Sequence, residues 1–313
     1  MSGGPQNGAW RKASGQERLE FAFLWVIVKG LGLLPRPIAR QMGVWIGRLA
    51  FRLVQKLRKV GLRNLELAYP ERDSEWRSGT LVGLYRSLGL LMAEFCLMSG
   101  YTREQASEFI EYDGLEHFLA ARDRGKGVLV LTGHLGAWEL SSFYHSLMGY
   151  PMGLVIRRLD NPLVDAFVNR IRCLHGNRVI HKDDFARGLI AAMRNGETMG
   201  ILMDTNMTPP QGVFVPFFGR EACTASGLAK VAMKTDAAVL PGFLLWDEAR
   251  RKYRLCFGEP MTLIRTENAD ADVLANTAAF TATIERYVRQ HPEQWLWLHR
   301  RWKTRPAGEA GVY

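Results

Sequence analysis

The sequence has 313 residues, of which 47% are hydrophobic, so it can bury one large core. Its formal net charge of +10 favours an anionic partner such as a phospholipid, an acidic glycolipid or an acidic carrier protein. The absence of RNA-binding and zinc-finger signatures argues against nucleic acid, and four cysteines without paired spacing argue against a disulfide framework or a metal site.

The first 60 residues predict a tail and an arm. Residues 1–15 are polar, contain glycine and serine, and are predicted to be disordered. Residues 16–60 are predicted to form a membrane-associated helical arm. Residues 21–34 are apolar, but they are fewer than the ~20 residues that a membrane span needs and carry no signal-peptide cleavage site. Residues 37–59 mix apolar and cationic side chains, which is typical of a helix lying in a membrane interface. The alternative is a long helix that covers the core and turns a basic face to solvent.

The stretch from residue 127 to 140 carries the strongest candidate site. Val128 to Leu131 is a continuous apolar run that predicts a buried strand, and a helix is expected to begin near Gly136. His134 therefore follows the carboxyl end of a strand, where open α/β sheets bind their ligands. Glu139 is in reach as a carboxylate partner, and such a pair is typical of a general base and its orienting group. The alternative is a turn histidine, with a glutamate that favours the positive end of a helix.

Further polar residues follow the next predicted strands. Residues 152–156 form a strand that leads to Arg157 and Arg158, and the helix after it carries Arg170 and Arg172. These arginines are candidates for binding an anionic substrate.

A third apolar strand over residues 199–203 ends at Asp204, again on the expected active-site edge. From local sequence alone, Asp204 is equally compatible with a turn before Pro209.

The pattern as a whole predicts a single α/β domain over residues 61–305, with a central mostly parallel or mixed sheet flanked by helices. Residues 237–245 and 253–257 are expected to pair as a hairpin at the sheet edge. The aromatic side chains of residues 212–219 suit either an acyl-chain pocket or the core. Residues 306–313 are predicted to be a flexible tail.

Several landmarks stand in the order found in one family. The chain resembles the bacterial lipid A late acyltransferases, the lauroyl and myristoyl transferase family, which belongs to the lysophospholipid acyltransferase superfamily. The landmarks are Arg63-Asn64-Leu65, Gly133-His134 with Glu139, Asn161-Pro162, Asp204, Val213-Phe214-Val215-Pro216-Phe217-Phe218-Gly219, Gln294-Trp295-Leu296-Trp297 and His299-Arg300-Arg301-Trp302-Lys303.

The resemblance implies roles for the candidate residues. His134 and Glu139 correspond to the catalytic His-x4-Glu dyad, and Asp204 to a later acidic site residue that is expected to bind substrate. Arg172 corresponds to a required arginine, with Arg170 as the competing position.

The resemblance also implies a reaction and its setting. A fatty acyl chain passes from an acyl-carrier-protein thioester to a hydroxyl of a lipid A precursor or similar glycolipid, with no cofactor, no metal and no covalent enzyme intermediate. Acyl carrier protein, the anionic glycolipid and membrane phospholipid are the implied partners, and nucleic acid is not among them. The implied location is the cytoplasmic face of the inner membrane, reached peripherally or through a single-pass N-terminal anchor.

In the expected mechanism, His134 removes the proton from the hydroxyl that attacks the thioester carbonyl. The reverse arrangement, with Glu139 as the base, stays open. The oxyanion would be stabilised by an arginine or by the backbone amides of Leu135 and Gly136.

Three rival functions are compatible with parts of this pattern. The first rival is an acyltransferase for another glycolipid or lysolipid acceptor. The second is a lipid-binding relative without activity. A zinc hydrolase is disfavoured because His134 and Glu139 lack the two-histidine spacing of such sites. Acyl length, the choice between carrier protein and coenzyme A, and oligomeric state are not determined by the sequence.

Overall fold

A computed structural model of the chain describes residues 13–181 and 185–313. Helices surround two sheets in these ranges. The helices are α1 (Gly15–Gly32), α2 (Arg36–Leu53), α3 (Gln55–Ala68), α4 (Ser74–Met98), α5 (Arg103–Phe109), α6 (Leu115–Asp123), α7 (Trp138–Leu147), α8 (Pro162–Arg172), α9 (Phe185–Arg194), α10 (Gly227–Thr235) and α11 (Ala269–Gln290). The strands are β1 (Ile110–Asp113), β2 (Val128–Thr132), β3 (Gly153–Ile156), β4 (Arg178–His181), β5 (Thr198–Leu202), β6 (Gly212–Phe217), β7 (Arg220–Ala225), β8 (Ala238–Asp247) and β9 (Lys252–Phe257).

The main sheet has seven strands in the order β1-β9-β8-β2-β5-β3-β4, and β6 and β7 form a separate antiparallel pair. The strands from β8 to β4 run parallel to one another, whereas β9 is antiparallel to β8. The predicted α/β class with a mostly parallel, mixed sheet is confirmed. The predicted hairpin of β8 and β9 is also present, but β1 pairs outside β9, so the hairpin is not the edge of the sheet.

Helices cover both faces of this sheet because its central strand is apolar on both sides. Leu129 and Leu131 of β2 point into a cluster that includes residues of α9, α10 and α11. Val128 and Val130 point into a second cluster that includes residues of α6 and α7. Strand side chains alternate between faces, so a run without polar residues buries both of them.

The predicted N-terminal arm is helical, but it is joined closely to the domain. Helix α2 crosses α4 at glycines: a Cβ on Gly43 would lie 2.2 Å from the Gly89 carbonyl oxygen, and a Cβ on Gly47 would lie 2.1 Å from that of Tyr85. Side chains would force the two backbones apart, so these glycines permit the contact.

A buried ionic cluster fastens the same helices together. Glu94 of α4 is fully buried and accepts hydrogen bonds from Arg36, at 2.7 Å, and Arg40, both on α2. Tyr101 donates its hydroxyl to the same carboxylate at 2.6 Å, and Arg40 also reaches the hydroxyl of Tyr253 on β9 at 3.1 Å. The arm is therefore tied to the sheet through its charges.

The described residues near the two ends of the chain make defined contacts. Residues 1–12 of the predicted disordered segment lie outside the described residues, and Ser14 caps α1 in a capping box with Glu17. The predicted flexible tail is held at its end, since the Val312 carbonyl accepts a hydrogen bond from Arg63 Nε at 2.9 Å and the Tyr313 hydroxyl donates to Asn64.

Candidate active site

Two neighbouring strands bring the central pair of side chains together. Strands β2 and β5 are parallel, and Thr132 lies opposite Leu202 at their carboxyl ends. His134 follows the first strand by two residues, and Asp204 follows the second by two residues. Equal offsets from a shared register place the two loops side by side.

The carboxylate of Asp204 holds His134 at two points. Its Oδ1 lies 2.9 Å from His134 Nδ1, and its Oδ2 accepts the His134 backbone N–H at 2.7 Å. The indole of Trp295 donates to the same Oδ2 at 2.8 Å. Asp204 is 3% exposed, whereas the side chain of His134 is 26% exposed, so the imidazole lies between the buried acid and the surface.

The charge of Asp204 selects the tautomer of a neutral imidazole. Burial would raise the pKa of Asp204, but the His134 charge and the hydrogen bonds from His134 and Trp295 lower this pKa to about 2. The carboxylate is therefore ionised at neutral pH and can only accept hydrogen bonds. Nδ1 of a neutral His134 then carries the proton, and Nε2 carries the lone pair that a general base needs.

Glu139 makes a different contact from the predicted one. Its carboxylate forms a bidentate ion pair with Arg172 of α8, with Nε–Oε2 at 2.8 Å and Nη2–Oε1 at 2.5 Å. The prediction that Glu139 holds the imidazole is corrected, because the carboxylate bonded to Nδ1 is that of Asp204. Glu139 lies in the first turn of α7 and faces α8, whereas His134 lies in the loop before that helix.

The loop after β2 constrains the predicted oxyanion donors. Gly136 has φ +66°, and a Cβ there would lie 2.1 Å from the Leu244 carbonyl oxygen, so this position requires glycine. Its amide donates to the Gln294 carbonyl at 3.0 Å. Of the two predicted backbone donors, the Gly136 amide is thus already engaged, which leaves the Leu135 amide or an arginine.

The remaining predicted arginines are spread along the surface. Arg157 and Arg158 are exposed, and Arg157 pairs with Asp160 at 2.8 Å. Arg170 is exposed on α8 and, with Lys29, lines a groove of about 720 Å³ between α1, α4 and α8. Of the four predicted arginines, Arg172 forms an ion pair with a predicted catalytic residue, Glu139.

The aromatic run over β6 belongs mainly to the core. Phe217 and Phe218 are buried, and Phe217 packs against Trp295 and Trp302 with ring centroids 5.5 and 5.8 Å apart. For these two residues the core alternative is confirmed, and Phe214 is partly exposed.

No group of three or more histidine, cysteine, aspartate or glutamate side chains is placed to hold a metal ion in residues 13–181 and 185–313. At the carboxyl edge of the sheet, this part of the chain pairs His134 with Asp204 and Glu139 with Arg172.

Comparison with known proteins identifies the family. The model of the bacterial lipid A biosynthesis acyltransferases matches residues 15–304. The chain belongs to this family. It is 29% identical to the lipid A biosynthesis lauroyltransferase of Escherichia coli K12 over 94% of both chains. It is 27% identical to the palmitoleoyltransferase of the same organism over 92% of this chain and 94% of that one.

A solved structure, that of the 1-acyl-sn-glycerophosphate acyltransferase of Thermotoga maritima, aligns with a TM-score of 0.38 and 15% identity. This alignment covers 82% of our chain and 98% of the other. The predicted membership of the lipid A acyltransferase family is confirmed, and the chain is an acyltransferase.

Two contacts in this acyltransferase site are not predicted from the sequence. Asp204 was expected to bind substrate, not to orient His134, and Trp295 was noted only as part of a family landmark. For Asp204 a signal was present, since two buried strands each followed by a polar residue suggest a meeting at one edge. For Trp295 no local pattern marks the side chain as a donor to a loop 91 residues away.

The Glu139–Arg172 pair makes one substitution informative. Arg172→Lys in the acyltransferase is expected to lower kcat/KM about 10-fold or more, because lysine keeps the charge but loses the planar two-donor contact with both carboxylate oxygens. Steady-state kinetics with donor and acceptor varied separately would measure the effect. Arg250→Lys, at an exposed ion pair with Glu111, serves as the control. A larger loss for Arg170→Lys than for Arg172→Lys would move the required arginine to position 170.

Proposed function

We propose that this acyltransferase moves a fatty acyl chain from an acyl-carrier-protein thioester to a hydroxyl of a lipid A precursor or similar glycolipid. The observation that carries the proposal is the buried, ionised Asp204 hydrogen-bonded to His134 at the carboxyl edge of the sheet. Such a pair leaves Nε2 of the imidazole able to accept a proton from a hydroxyl.

The reaction follows from that arrangement. Nε2 of His134 takes the hydroxyl proton as the oxygen attacks the thioester carbonyl carbon. A new C–O bond forms, the C–S bond breaks, and the imidazolium returns its proton to the departing thiolate. Asp204 stabilises the imidazolium that exists between these steps.

The contacts of Glu139 favour His134 over Glu139 as the base. Both oxygens of Glu139 already accept hydrogen bonds from the guanidinium of Arg172. A proton taken up there would have to displace a charge-assisted bond. We assign Glu139 to the task of fixing Arg172, whose guanidinium can then meet the thioester oxyanion or an acceptor phosphate.

Charge supports an anionic acceptor and an acidic carrier. The chain has a net charge of +10, and the groove lined by Arg170 and Lys29 opens beside α8, which carries Arg172. A phosphate on a glycolipid would be attracted to such a groove, and Arg157 and Arg158 add exposed positive charge in the loop before α8. The four arginines Arg157, Arg158, Arg170 and Arg172 are the proposed contacts for the phosphates of the acceptor and the acids of the carrier.

The surface of the arm supports placement on a membrane, which we propose is the cytoplasmic face of the inner membrane. Large apolar side chains on this surface are exposed, and exposed cations lie on the same helices. The apolar ones are Leu19, Phe23, Trp25, Val26, Leu33, Ile38, Met42, Trp45, Ile46, Leu49, Leu53, Val54 and Leu57, and the cations are Arg48, Arg52, Lys56 and Lys59.

Among the described helices, α4 is the one with the length and apolar composition of a membrane span, but 61% of its apolar window is buried. We therefore favour peripheral attachment of the arm over a single-pass anchor.

Turnover by the purified full chain tests the function. Acyl carrier protein loaded with a radiolabelled acyl group would be offered with a lipid A precursor, with a lysophospholipid or with no acceptor, and products identified by mass spectrometry. We expect a labelled glycolipid that His134→Ala does not form. A labelled lysophospholipid product would favour the rival acceptor, and binding without product would favour the non-catalytic alternative.

Membrane attachment yields a second measurable outcome. Trp45 and Leu49 lie one helical turn apart and are 66% and 54% exposed. Trp45→Glu with Leu49→Glu is expected to weaken partitioning onto anionic phospholipid vesicles by about 10-fold or more, because the buried apolar area is lost. Flotation would measure the bound fraction.

The matched control is Ile264→Glu with Leu274→Glu, which adds the same charges at exposed apolar positions outside the arm. Equal weakening by both pairs would assign the attachment to overall charge. The aromatic C-terminal run is not an alternative anchor, because Trp295, Trp297 and Trp302 are buried.

A further inference from the structure

The C-terminal segment of the chain contributes a residue, Trp295, that contacts the His134–Asp204 pair. This segment follows the 3-10 turn at Pro292–Gln294 and lies along the loop after β2. Its Leu296 amide donates to the His134 carbonyl at 3.0 Å, and its Trp295 indole donates to Asp204 Oδ2 at 2.8 Å. One segment therefore contacts both members of the pair.

The indole is itself fixed in place. Trp295 is 1% exposed and packs edge-on against Phe217 and Trp297, with ring centroids 5.5 and 4.4 Å away. The preceding Gln294 accepts from the Trp246 amide and donates to its carbonyl, both at 3.0 Å, which anchors the segment to β8. The donor thus has little freedom to move away from Asp204.

The hydrogen bonds divide the two carboxylate oxygens between two tasks. Oδ2 receives the indole N–H and the His134 backbone N–H, while Oδ1 lies opposite His134 Nδ1. With Oδ2 held by two donors, rotation of the carboxylate would break buried bonds, so Oδ1 stays aligned with the imidazole. The indole bond also helps to keep the pKa of Asp204 low despite its burial.

We propose that Trp295 is a positioning residue for acyl transfer, which acts through Asp204 to keep the imidazole of His134 oriented towards the acceptor hydroxyl. This inference rests on the proposed function, and it adds a third member, outside the two strand-end loops, to the His134–Asp204 pair.

The test compares two buried tryptophans in the full-length protein. Trp295→Phe removes the donor and keeps an aromatic ring, and it is expected to lower kcat about 10–100-fold with little change in KM, the usual effect of losing a hydrogen bond to a charged group. Trp302→Phe is the control, because Trp302 is also fully buried but its indole N–H has no hydrogen-bond partner among the described residues. Its kcat should stay near that of the wild type.

A second variant separates the N–H from the shape of the ring. Replacing Trp295 with 3-benzothienylalanine keeps the bicyclic outline and exchanges the N–H for sulfur, so the fold is maintained even if Trp295→Phe is unstable. We expect the same loss in kcat. Full activity of a folded benzothienylalanine variant would overturn the proposal.

A double-mutant cycle tests whether Trp295 acts through Asp204. In an Asp204→Ala background there is no carboxylate to align, so Trp295→Phe should cost no further activity. A further loss there, an equal kcat loss for Trp302→Phe, or an effect confined to KM would each overturn the positioning role. If the wild-type protein formed no labelled glycolipid, the proposed function would instead be refuted, so the two failures are distinguishable.

Discussion

Replacing His134 with alanine is expected to lower kcat by about 10²–10⁴-fold while leaving the chain folded, the range usual for loss of a general base. The imidazole is partly exposed and lies in the loop after β2, where it is hydrogen-bonded to Asp204, so its removal leaves the sheet intact. Single-turnover assays with labelled acyl carrier protein would measure the chemical step apart from product release.

The companion substitution Asp204→Asn is expected to cause a loss of similar order. The amide is neutral and cannot stabilise an imidazolium, and its NH2 group can favour the tautomer with the proton on Nε2. The pKa of the Asp204 carboxyl is about 2. The pH profile of wild-type kcat should therefore show no change caused by titration of Asp204 between about pH 5 and 8. His117→Ala, at a histidine on α6, serves as the control. Folded His134→Ala protein with near wild-type turnover would remove the imidazole from the mechanism.

The buried ionic cluster between α2 and α4 should dominate the stability of the arm. Glu94→Ala is expected to lower the free energy of unfolding by about 3–5 kcal/mol, because it leaves two guanidiniums without their shared carboxylate. The side chains of Arg36 and Arg40 are only 24% and 13% exposed, so water cannot fully replace the lost partner. Urea denaturation followed by circular dichroism would measure the change.

Glu66→Ala is the matched control for this effect. Glu66 pairs with Arg63 one helical turn away, and their side chains are 51% and 41% exposed. Exposed pairs of this kind are worth ~0–1 kcal/mol, so the control should unfold near the wild-type midpoint. If both variants lost the same free energy of unfolding, the Glu94 cluster would stabilise the protein no more than a surface pair. The glycine contacts between α2 and α4 would then have to account for the stability of this helix pair.

Such a junction changes how the arm should be studied. Deleting α1 and α2 to test membrane attachment would also remove Arg36 and Arg40 and expose Glu94, so a loss of binding could not be separated from unfolding. Substitutions at exposed positions such as Trp45 and Leu49 avoid this problem.

Much of the fold and part of the site could be read from residue patterns. The apolar runs of β2 and β5 predict buried strands, and the polar residues just after them predict a site at one sheet edge, because local periodicity reports burial directly. The amphipathic pattern of the arm likewise predicts its helices and its exposed apolar surface, and the family landmarks point to acyl transfer.

What the sequence determined by itself is therefore the elements, the sheet edge on which His134 and Asp204 lie, and the family. Tertiary structure alone decided the partners: Asp204, 70 residues from His134, takes the imidazole because β5 pairs with β2 in a register that aligns their ends. Glu139, only five residues from His134, is turned towards Arg172 by the start of α7. The contacts of Trp295 and of the Glu94 cluster could not be predicted from local sequence either, because the bonded residues are 91 and 58 positions apart in the chain. Local patterns set backbone periodicity, whereas strand order, register and helix crossing set which distant polar groups meet, and these arise only when the whole core packs.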